Sequence, residues 1–220
     1  YMVPYQMDAL MADPGTILRI WDGGMSFHGG ISGVAVALVY FAWSRKVSLF
    51  SIGDIAGVVA PIGIGLVRIA NFINAELYGR HTDSSWGMVF PEGVVPGSTP
   101  PAFNWDTGKW VYNGFETARY PSQLYESALE GWLPLIVLSI LIWRFGALKR
   151  PGLVAGLFLL MYAFGRTVVE NFRMPDSFVH GMPEWLTMGQ LLSIPMWLGG
   201  AWLVWNALKP KTPKETKTKA

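Results

Sequence analysis

Five polar side chains lie at one end of an apolar run that is long enough to enter a membrane. They are Arg68, Asn71, Asn74, Glu76 and Arg80. Polar groups inside a membrane span are costly and usually serve a function. If the helix continued, steps of three and four residues would place the guanidinium, both amides and the Tyr78 phenol on one face. Because the planar arginine fork can bind two phosphate oxygens at once, this face indicates an anion site.

A purely structural ion pair is the alternative for Arg68. Its partner would then be Glu76, Glu126 or Glu170. We favour the functional interpretation, since an arginine so far inside a span is costly without a task.

A second polar stripe follows one side of a later apolar segment. Its members are Tyr162, Arg166, Glu170 and Arg173, at steps of four, four and three residues. The four-residue step alone would let Glu170 neutralise Arg166. We expect Glu170 to orient Arg166 and Arg166 to face the ligand.

His28 lies in the motif GGMSFHGG, whose glycines permit close approach of backbone or substrate. A histidine there has the chemistry of a general base near neutral pH. A hydrogen-bonded structural histidine is the alternative. His81 and His180 do not form a metal-ligand spacing with it.

The segment PSQLYE, Pro121–Glu126, opens the next apolar run. Ser122 has the chemistry of a helix cap, which would account for it without a functional role. Gln123 and Tyr125 are close enough in sequence to reach the site.

The composition indicates a membrane protein. Of 220 residues, 51% are hydrophobic and 15% charged, against about 25% charged in soluble domains. Eleven Trp and twelve Phe are typical of aromatic belts at a membrane interface. The net charge of +2 and the lack of a basic stripe argue against nucleic-acid binding. Without cysteine, the chain has no disulfide or thiolate nucleophile of its own.

Five windows approach the roughly 20 apolar residues that a membrane span needs. They are Met25–Ser44, Ile52–Ile73, Tyr125–Trp143, Gly152–Glu170 and Leu186–Leu208. Lys and Arg cluster after the first, third and fifth windows, which predicts that these three ends are cytoplasmic. The polar ends of the windows then meet near the outer leaflet.

We predict one membrane domain over 1–220 with two appendages. Residues 74–124 are too long for a bare loop and carry hairpin turn signals, such as Thr107-Gly108. They predict a small extracytoplasmic cap. Residues 209–220 predict a disordered basic cytoplasmic tail.

Four motifs together resemble the bacterial prolipoprotein diacylglyceryl transferase family. They are WDGGMSFHGG (Trp21–Gly30), RIANFINAELYGR (Arg68–Arg80), YPSQLYE (Tyr120–Glu126) and GRTVVENFRMPD (Gly165–Asp176). They occur in the family's order, from about Trp21 to the fifth window.

The resemblance implies an all-α polytopic inner-membrane enzyme. It would have seven spans when intact, of which five are visible, because about the first fifth of a typical member has no counterpart here. The implied reaction moves the diacylglyceryl group of phosphatidylglycerol onto the lipobox cysteine of a prolipoprotein and releases glycerol 1-phosphate. The partners would be that lipid, the lipobox segment and the bilayer. We expect a monomer that needs no metal or organic cofactor.

The resemblance also implies roles for individual residues. The family's essential histidine, arginines and asparagine correspond to His28, Arg68, Arg166 and Asn71. We expect catalysis from His28, Arg68 and Arg166. Together, the residues and the resemblance give this substrate-binding set: Asn71, Asn74, Glu76, Arg80, Tyr125, Glu126, Tyr162, Glu170 and Arg173.

The chain departs from the family at three positions. Val67 and Ala70 stand where many members have Gly, which predicts tighter local packing. Tyr120 stands where many have His, so no histidine role applies there.

Two other classes of function remain open from the sequence. An anion or lipid transporter would need charged groups at several depths, and Asp54 is the only charge near an inner end. A non-catalytic lipid-binding subunit would not need His28 together with both arginine stripes.

Overall fold

Helices form most of the described chain. The computed structural model describes residues 27–82, 84–88, 90, 102–104, 109–111, 118–174 and 187–210. The helices are α1 (Phe27–Arg45), α2 (Leu49–Ile73), α3 (Ser122–Phe145), α4 (Leu153–Val169) and α5 (Met188–Leu208). All five predicted windows are therefore helical. Within α3, the π-helical segment Ser127–Trp132 lies between two α-helical parts, Ser122–Glu126 and Leu133–Phe145.

Two short strands lie within the predicted cap region. β1 (Ala102–Asn104) pairs antiparallel with β2 (Lys109–Val111). The connection between them contains the turn signal Thr107-Gly108. Residues 91–101, 105–108 and 112–117 of this region, the His28 side chain and the predicted tail beyond residue 210 lie outside what the structure describes.

The chain divides into two compact units, Tyr1–Ile52 and Gly53–Ala220. In the first unit the structure describes α1 and the beginning of α2. The second unit contains the rest of α2 with α3, α4 and α5, and it holds the polar side chains described below.

The helices have the dimensions and surface of membrane spans. Among the described residues, Leu49–Ile73, Ser122–Phe145 and Gly189–Leu208 are long and apolar enough to cross a membrane, and Leu153–Val169 is a shorter apolar helix. Large apolar side chains face outward, including Trp143 at 89% exposure. A soluble protein rarely exposes such an extensive apolar surface. The chain is a mostly helical membrane protein.

Polar side chains are buried where a soluble protein would place apolar ones. The buried polar set comprises Asp54, Arg119, Ser122, Gln123, Glu126, Ser127, Glu130, Glu170, Arg173 and Ser193. A small apolar cluster of Leu138, Ala147 and Val154 lies elsewhere. Most of the buried polar groups lie near one end of the helices, where they form the site.

Glycines allow the helices of the second unit to approach closely. A Cβ added at Gly131 in the π segment would lie 2.6 Å from the Gly65 Cα of α2. Ser127 Oγ donates to the Gly65 carbonyl at 2.9 Å across the same crossing. At another crossing, a Cβ at Gly156 of α4 would lie 2.9 Å from the Gly200 carbonyl of α5. Small residues serve this purpose in membrane helices, where close backbone packing drives association.

Asp54 fastens α2 to the beginning of α4. Its two carboxylate oxygens accept hydrogen bonds from Gly152 N at 2.7 Å and Ala155 N at 2.9 Å. The N–H groups of a first helical turn have no partner within the helix, and a negative charge is favourable there. Asp54 is buried and acts as a cap supplied by another helix.

The helix α2 ends earlier than the polar stripe in the sequence suggested. It ends at Ile73, and the chain then turns through Ala75 and Leu77, which have positive φ angles of 54° and 56°. The prediction that Tyr78 continues the helical face of Arg68 is therefore wrong. Asn74 directly follows the last helical residue and still donates its backbone N–H to the Ala70 carbonyl at 2.9 Å.

Candidate active site

Arg68 and Glu126 form the central ion pair. Arg68 Nε of α2 lies 2.6 Å from Glu126 Oε2 of α3. The Glu126 side chain is 1% exposed and that of Arg68 is 17% exposed. Of the three partners considered from the sequence, the structure selects Glu126. The contact is an ion pair and not a hydrogen bond, since neither of these two atoms has a hydrogen-bond partner among the described residues.

Glu126 also holds a second arginine. Arg173 Nη1 donates to Glu126 Oε1 at 3.4 Å. Arg173 follows the end of α4, so one carboxylate joins residues from three parts of the chain. A buried charge of this kind is stable only when it is paired.

Arg166 and Glu170 form the predicted four-residue pair on the last turn of α4. Arg166 Nη2 lies 3.1 Å from Glu170 Oε2. Gly189 in the first turn of α5 covers this pair. A Cβ there would collide with the Glu170 carboxylate and lie 2.8 Å from Arg166 Nε. Gly189 is not among the residues predicted from the sequence, and no local sequence signal reveals its contact.

Glu130 is a further buried carboxylate that is not among the site residues predicted from the sequence. It belongs to the π segment and is 0% exposed. Neither of its oxygens has a hydrogen-bond partner within the described part of the chain. The charges of Glu126 and of the three arginines at positions 68, 166 and 173 act on its carboxyl. The sequence feature that could have revealed Glu130 as a site residue is its spacing of four residues from Glu126.

The two asparagines, at the end of α2 and just after it, bind a carboxylate of the loop that follows. Asn71 Nδ2 and Asn74 Nδ2 donate to Glu76 Oε1 at 3.2 Å and 3.3 Å. Gln123 Nε2 donates to the Glu76 carbonyl at 2.7 Å. The Asn71 and Asn74 side chains therefore stabilise the turn after α2, and the Gln123 hydrogen bond holds that turn against α3.

Ser122 does not cap its helix. It is the first residue of α3, whose N-cap is Pro121 without a side-chain hydrogen bond. Ser122 Oγ instead donates to the Leu77 carbonyl at 3.3 Å. The capping interpretation is wrong because α3 begins one turn earlier than the predicted Tyr125.

Arg80 and Arg119 fasten the loop after α2 to its neighbours. Arg80 Nε donates to the Arg173 carbonyl at 2.8 Å, next to a β-bridge between Gly79 and Arg173. The Arg119 guanidinium lies 4.8 Å from the centre of the Tyr78 ring. Arg80 therefore positions the backbone of Arg173 in this structure.

An aromatic cleft of about 440 Å³ lies beside the charged cluster. Trp86, Tyr120, Tyr125 and Phe172 contribute to its walls. The Phe172 ring makes edge contacts with Tyr120 at 5.2 Å and Tyr125 at 5.5 Å between ring centres. Tyr125 thus lines this cleft.

Four other residues were singled out in the sequence, and the structure describes each of them. Tyr162 is half-buried on α4, where its phenol interacts electrostatically with Glu130. Val67 is 57% exposed and Ala70 is also exposed, so the expected tightening of packing at these positions is not seen among the described residues. Tyr120 pairs its backbone with Gly79 in addition to its ring contact.

Comparison with known proteins identifies the family. The sequence profile of the prolipoprotein diacylglyceryl transferase family matches residues 1–206. The chain is 46% identical over 212 residues to a phosphatidylglycerol–prolipoprotein diacylglyceryl transferase of Phenylobacterium zucineum, covering 95% of this chain and 69% of that protein. It is 44% identical to proteins of the same name from Caulobacter vibrioides and Bradyrhizobium diazoefficiens. These alignments cover 91% and 97% of this chain and 64% and 69% of the relatives.

The chain thus spans about two thirds of the length of these relatives, at 42–46% identity among those compared. The family match extends over the charged cluster, the loop after α2 and the π segment. The chain belongs to the prolipoprotein diacylglyceryl transferase family of membrane transferases.

Proposed function

We propose that this protein transfers the diacylglyceryl group of phosphatidylglycerol to the lipobox cysteine of a prolipoprotein. The cysteine sulfur forms a bond to the glyceryl carbon, and the bond from that carbon to the phosphate oxygen breaks. The electron pair leaves with glycerol 1-phosphate, and the thiol proton passes to a base. The names of the relatives supply both substrates.

The cluster of arginines at one helix end is the observation that carries the proposal. Three guanidiniums from α2, α4 and the segment after α4 are held by Glu126 and Glu170. A phosphodiester fits such a site because arginine binds two phosphate oxygens at once. As the carbon–oxygen bond breaks, negative charge grows on the phosphate, and fixed cations lower the energy of that state more than that of the reactants.

His28 is our candidate for the base that takes the thiol proton. A free thiol has a pKa of about 8.5 and needs activation at neutral pH. The motif around His28 is the support for this role. The change His28→Gln should lower transfer by a factor on the order of 100, as loss of a general base usually does, and near-normal turnover would eliminate His28 as the base.

We infer an orientation from the distribution of Lys and Arg. The cluster faces the outer leaflet of the bacterial inner membrane, and residues 74–124 form a cap over it. The C-terminus is cytoplasmic, and the five helices belong to a seven-span monomer. Phosphatidylglycerol in the outer leaflet and exported prolipoproteins would then reach the cluster from the same side.

A transporter has less support. It would require mobile charges at several depths, but Asp54 at the opposite end of α2 already accepts two backbone hydrogen bonds. That carboxylate is engaged in helix capping.

The decisive assay incubates the purified protein with phosphatidylglycerol and a lipobox peptide in lipid nanodiscs. Mass spectrometry should detect a peptide heavier by one diacylglyceryl group, together with released glycerol 1-phosphate. A peptide with Ser in place of Cys is the matched control and should stay unmodified. Lipid binding without any product would contradict the proposed transfer and favour a non-catalytic lipid-binding subunit.

A further inference from the structure

Gln123 has one polar atom that takes no part in the hydrogen bonds of the described residues. Its side chain is fully buried. Its Nε2 donates to the Glu76 carbonyl at 2.7 Å, whereas its Oε1 has no hydrogen-bond partner in the part of the chain that the structure describes. A buried amide oxygen without a donor is costly, so an atom of this kind requires an explanation.

The contact with Glu76 fixes the direction of the Gln123 amide. A backbone carbonyl only accepts hydrogen bonds, so it faces the amide nitrogen and not the amide oxygen. Turning the amide over would replace this bond with two facing oxygens. Oε1 is therefore held as an acceptor, and the group that complements it is a donor such as a hydroxyl.

Gln123 precedes Glu126 by three residues, within the regular α-helical part of α3. This spacing places both side chains on one face of the helix. Glu126 Oε2 lies 2.6 Å from Arg68 Nε, and its Oε1 accepts from Arg173 Nη1 at 3.4 Å. The Gln123 acceptor therefore lies about one turn from the charged cluster, towards the beginning of α3.

The headgroup of phosphatidylglycerol has the length and the donors that fit this arrangement. Three residues advance a helix by about 4.5 Å, which is comparable with the length of a three-carbon glycerol. In the proposed orientation, a lipid with its phosphate at the arginines extends its headgroup outward, towards the beginning of α3. The headgroup glycerol carries two free hydroxyls, and each can donate a hydrogen bond.

The turn beside Gln123 lies at the surface. Glu76 is exposed and Leu77 is 49% exposed. Because the Gln123 amide contacts the backbone of this turn, it lies directly beneath an exposed residue. A small shift of the turn would let a hydroxyl reach Oε1.

We propose that Gln123 Oε1 accepts a hydrogen bond from a hydroxyl of the phosphatidylglycerol headgroup and thereby determines specificity for that headgroup. The bond from Nε2 to Glu76 keeps the acceptor in place. This inference rests on the proposed function, because it takes that lipid as the substrate and places its phosphate at the arginines.

The test compares the binding of two lipids in phosphatidylcholine nanodiscs without peptide, so that no turnover occurs. Phosphatidylpropanol has the same charge and the same three-carbon headgroup as phosphatidylglycerol, but its headgroup has no hydroxyl. Wild-type protein should bind phosphatidylglycerol on the order of 10-fold more tightly, because only this lipid pairs the buried acceptor. Gln123→Met keeps nearly the same length without the amide, so the ratio of the two affinities should fall close to one. Loss of the Glu76 contact acts on both lipids alike and cancels in this ratio.

Ser122→Ala is the matched control. It removes the neighbouring hydrogen bond from α3 to the same turn, which Ser122 Oγ donates to the Leu77 carbonyl at 3.3 Å, and it leaves the Gln123 amide intact. Its ratio of affinities should equal that of the wild type. Gln123→Leu, which lacks the amide but has a different shape, should repeat the loss of preference found in Gln123→Met.

Three results would overturn the inference. They are equal wild-type affinity for the two lipids, a preference that survives in both Gln123 variants, and an equal loss of preference in Ser122→Ala. Each would leave the proposed function intact as long as the wild type still modifies the lipobox peptide. A protein that binds neither lipid and transfers nothing would overturn both.

Discussion

The contact between Gly189 and the Arg166–Glu170 pair predicts a large effect from one methyl group. In Gly189→Ala, the new Cβ would collide with the Glu170 carboxylate and lie 2.8 Å from Arg166 Nε. Ordinary van der Waals contact begins at 3.4 Å, so the arginine must retreat by about 0.6 Å. The carboxylate has to move further, and the 3.1 Å ion pair is disturbed.

A shift of this size matters because the guanidinium must meet the phosphate in the transition state. A misplacement of about 1 Å can cost about 100-fold in rate. We therefore expect kcat/KM for transfer to fall on the order of 10- to 100-fold, or about 1.4 to 2.7 kcal/mol. Phosphatidylglycerol affinity should weaken in parallel. Ala has a helix propensity about 1 kcal/mol better than Gly, so the helix α5 itself is not weakened.

Gly199→Ala is the matched control, since it makes the same change in the same helix. A Cβ at Gly199 has no atom of the described residues within 4 Å. The assay is peptide transfer in nanodiscs, with thermal unfolding of each variant measured alongside. Wild-type kcat/KM in Gly189→Ala would refute the reasoning, and so would equal losses in both variants.

Two further predictions concern how the helices are held. Asp54→Asn should lower the free energy of unfolding by about 1–3 kcal/mol, because the charged acceptor at the first turn of α4 is lost. Thermal unfolding measures this loss. The rate of transfer at low temperature should stay within about twofold of the wild-type rate. Gly131→Ala should cost about 1–3 kcal/mol or more, since its Cβ would lie 2.6 Å from the Gly65 Cα. In Gly63→Ala the new Cβ has no neighbour within 4 Å in the part of the chain that the structure describes, so the melting temperature should stay nearly unchanged. A melting temperature unchanged in Asp54→Asn, or equally lowered in both glycine variants, would contradict these assignments.

The helices were predictable because a span requires a long apolar run. Each predicted window coincides with a helix, with differences of a few residues at the ends. The Arg166–Glu170 pair was predictable for a similar reason, since a helix places residues four apart side by side.

The partner of Arg68 was not predictable in the same way. Glu76, Glu126 and Glu170 all carried the right charge, and only the packing of α2 against α3 selects Glu126. The loop contacts were missed because the end of α2 depends on two residues with positive φ, Ala75 and Leu77. Neither is a glycine, so the usual signal for such a backbone is absent.

The π segment determines the contacts of Glu130 in a way that the sequence does not show. A π turn contains one more residue than an α turn, so everything after it is rotated by about 100° relative to a regular helix. A regular helix would place Glu126 and Glu130 one above the other. In the structure, Glu126 pairs with Arg68 and Arg173, whereas Glu130 faces Gly165 of α4. Glu126 therefore lies just before the π segment and Glu130 lies within it, so the four-residue spacing of the two carboxylates does not by itself give their contacts.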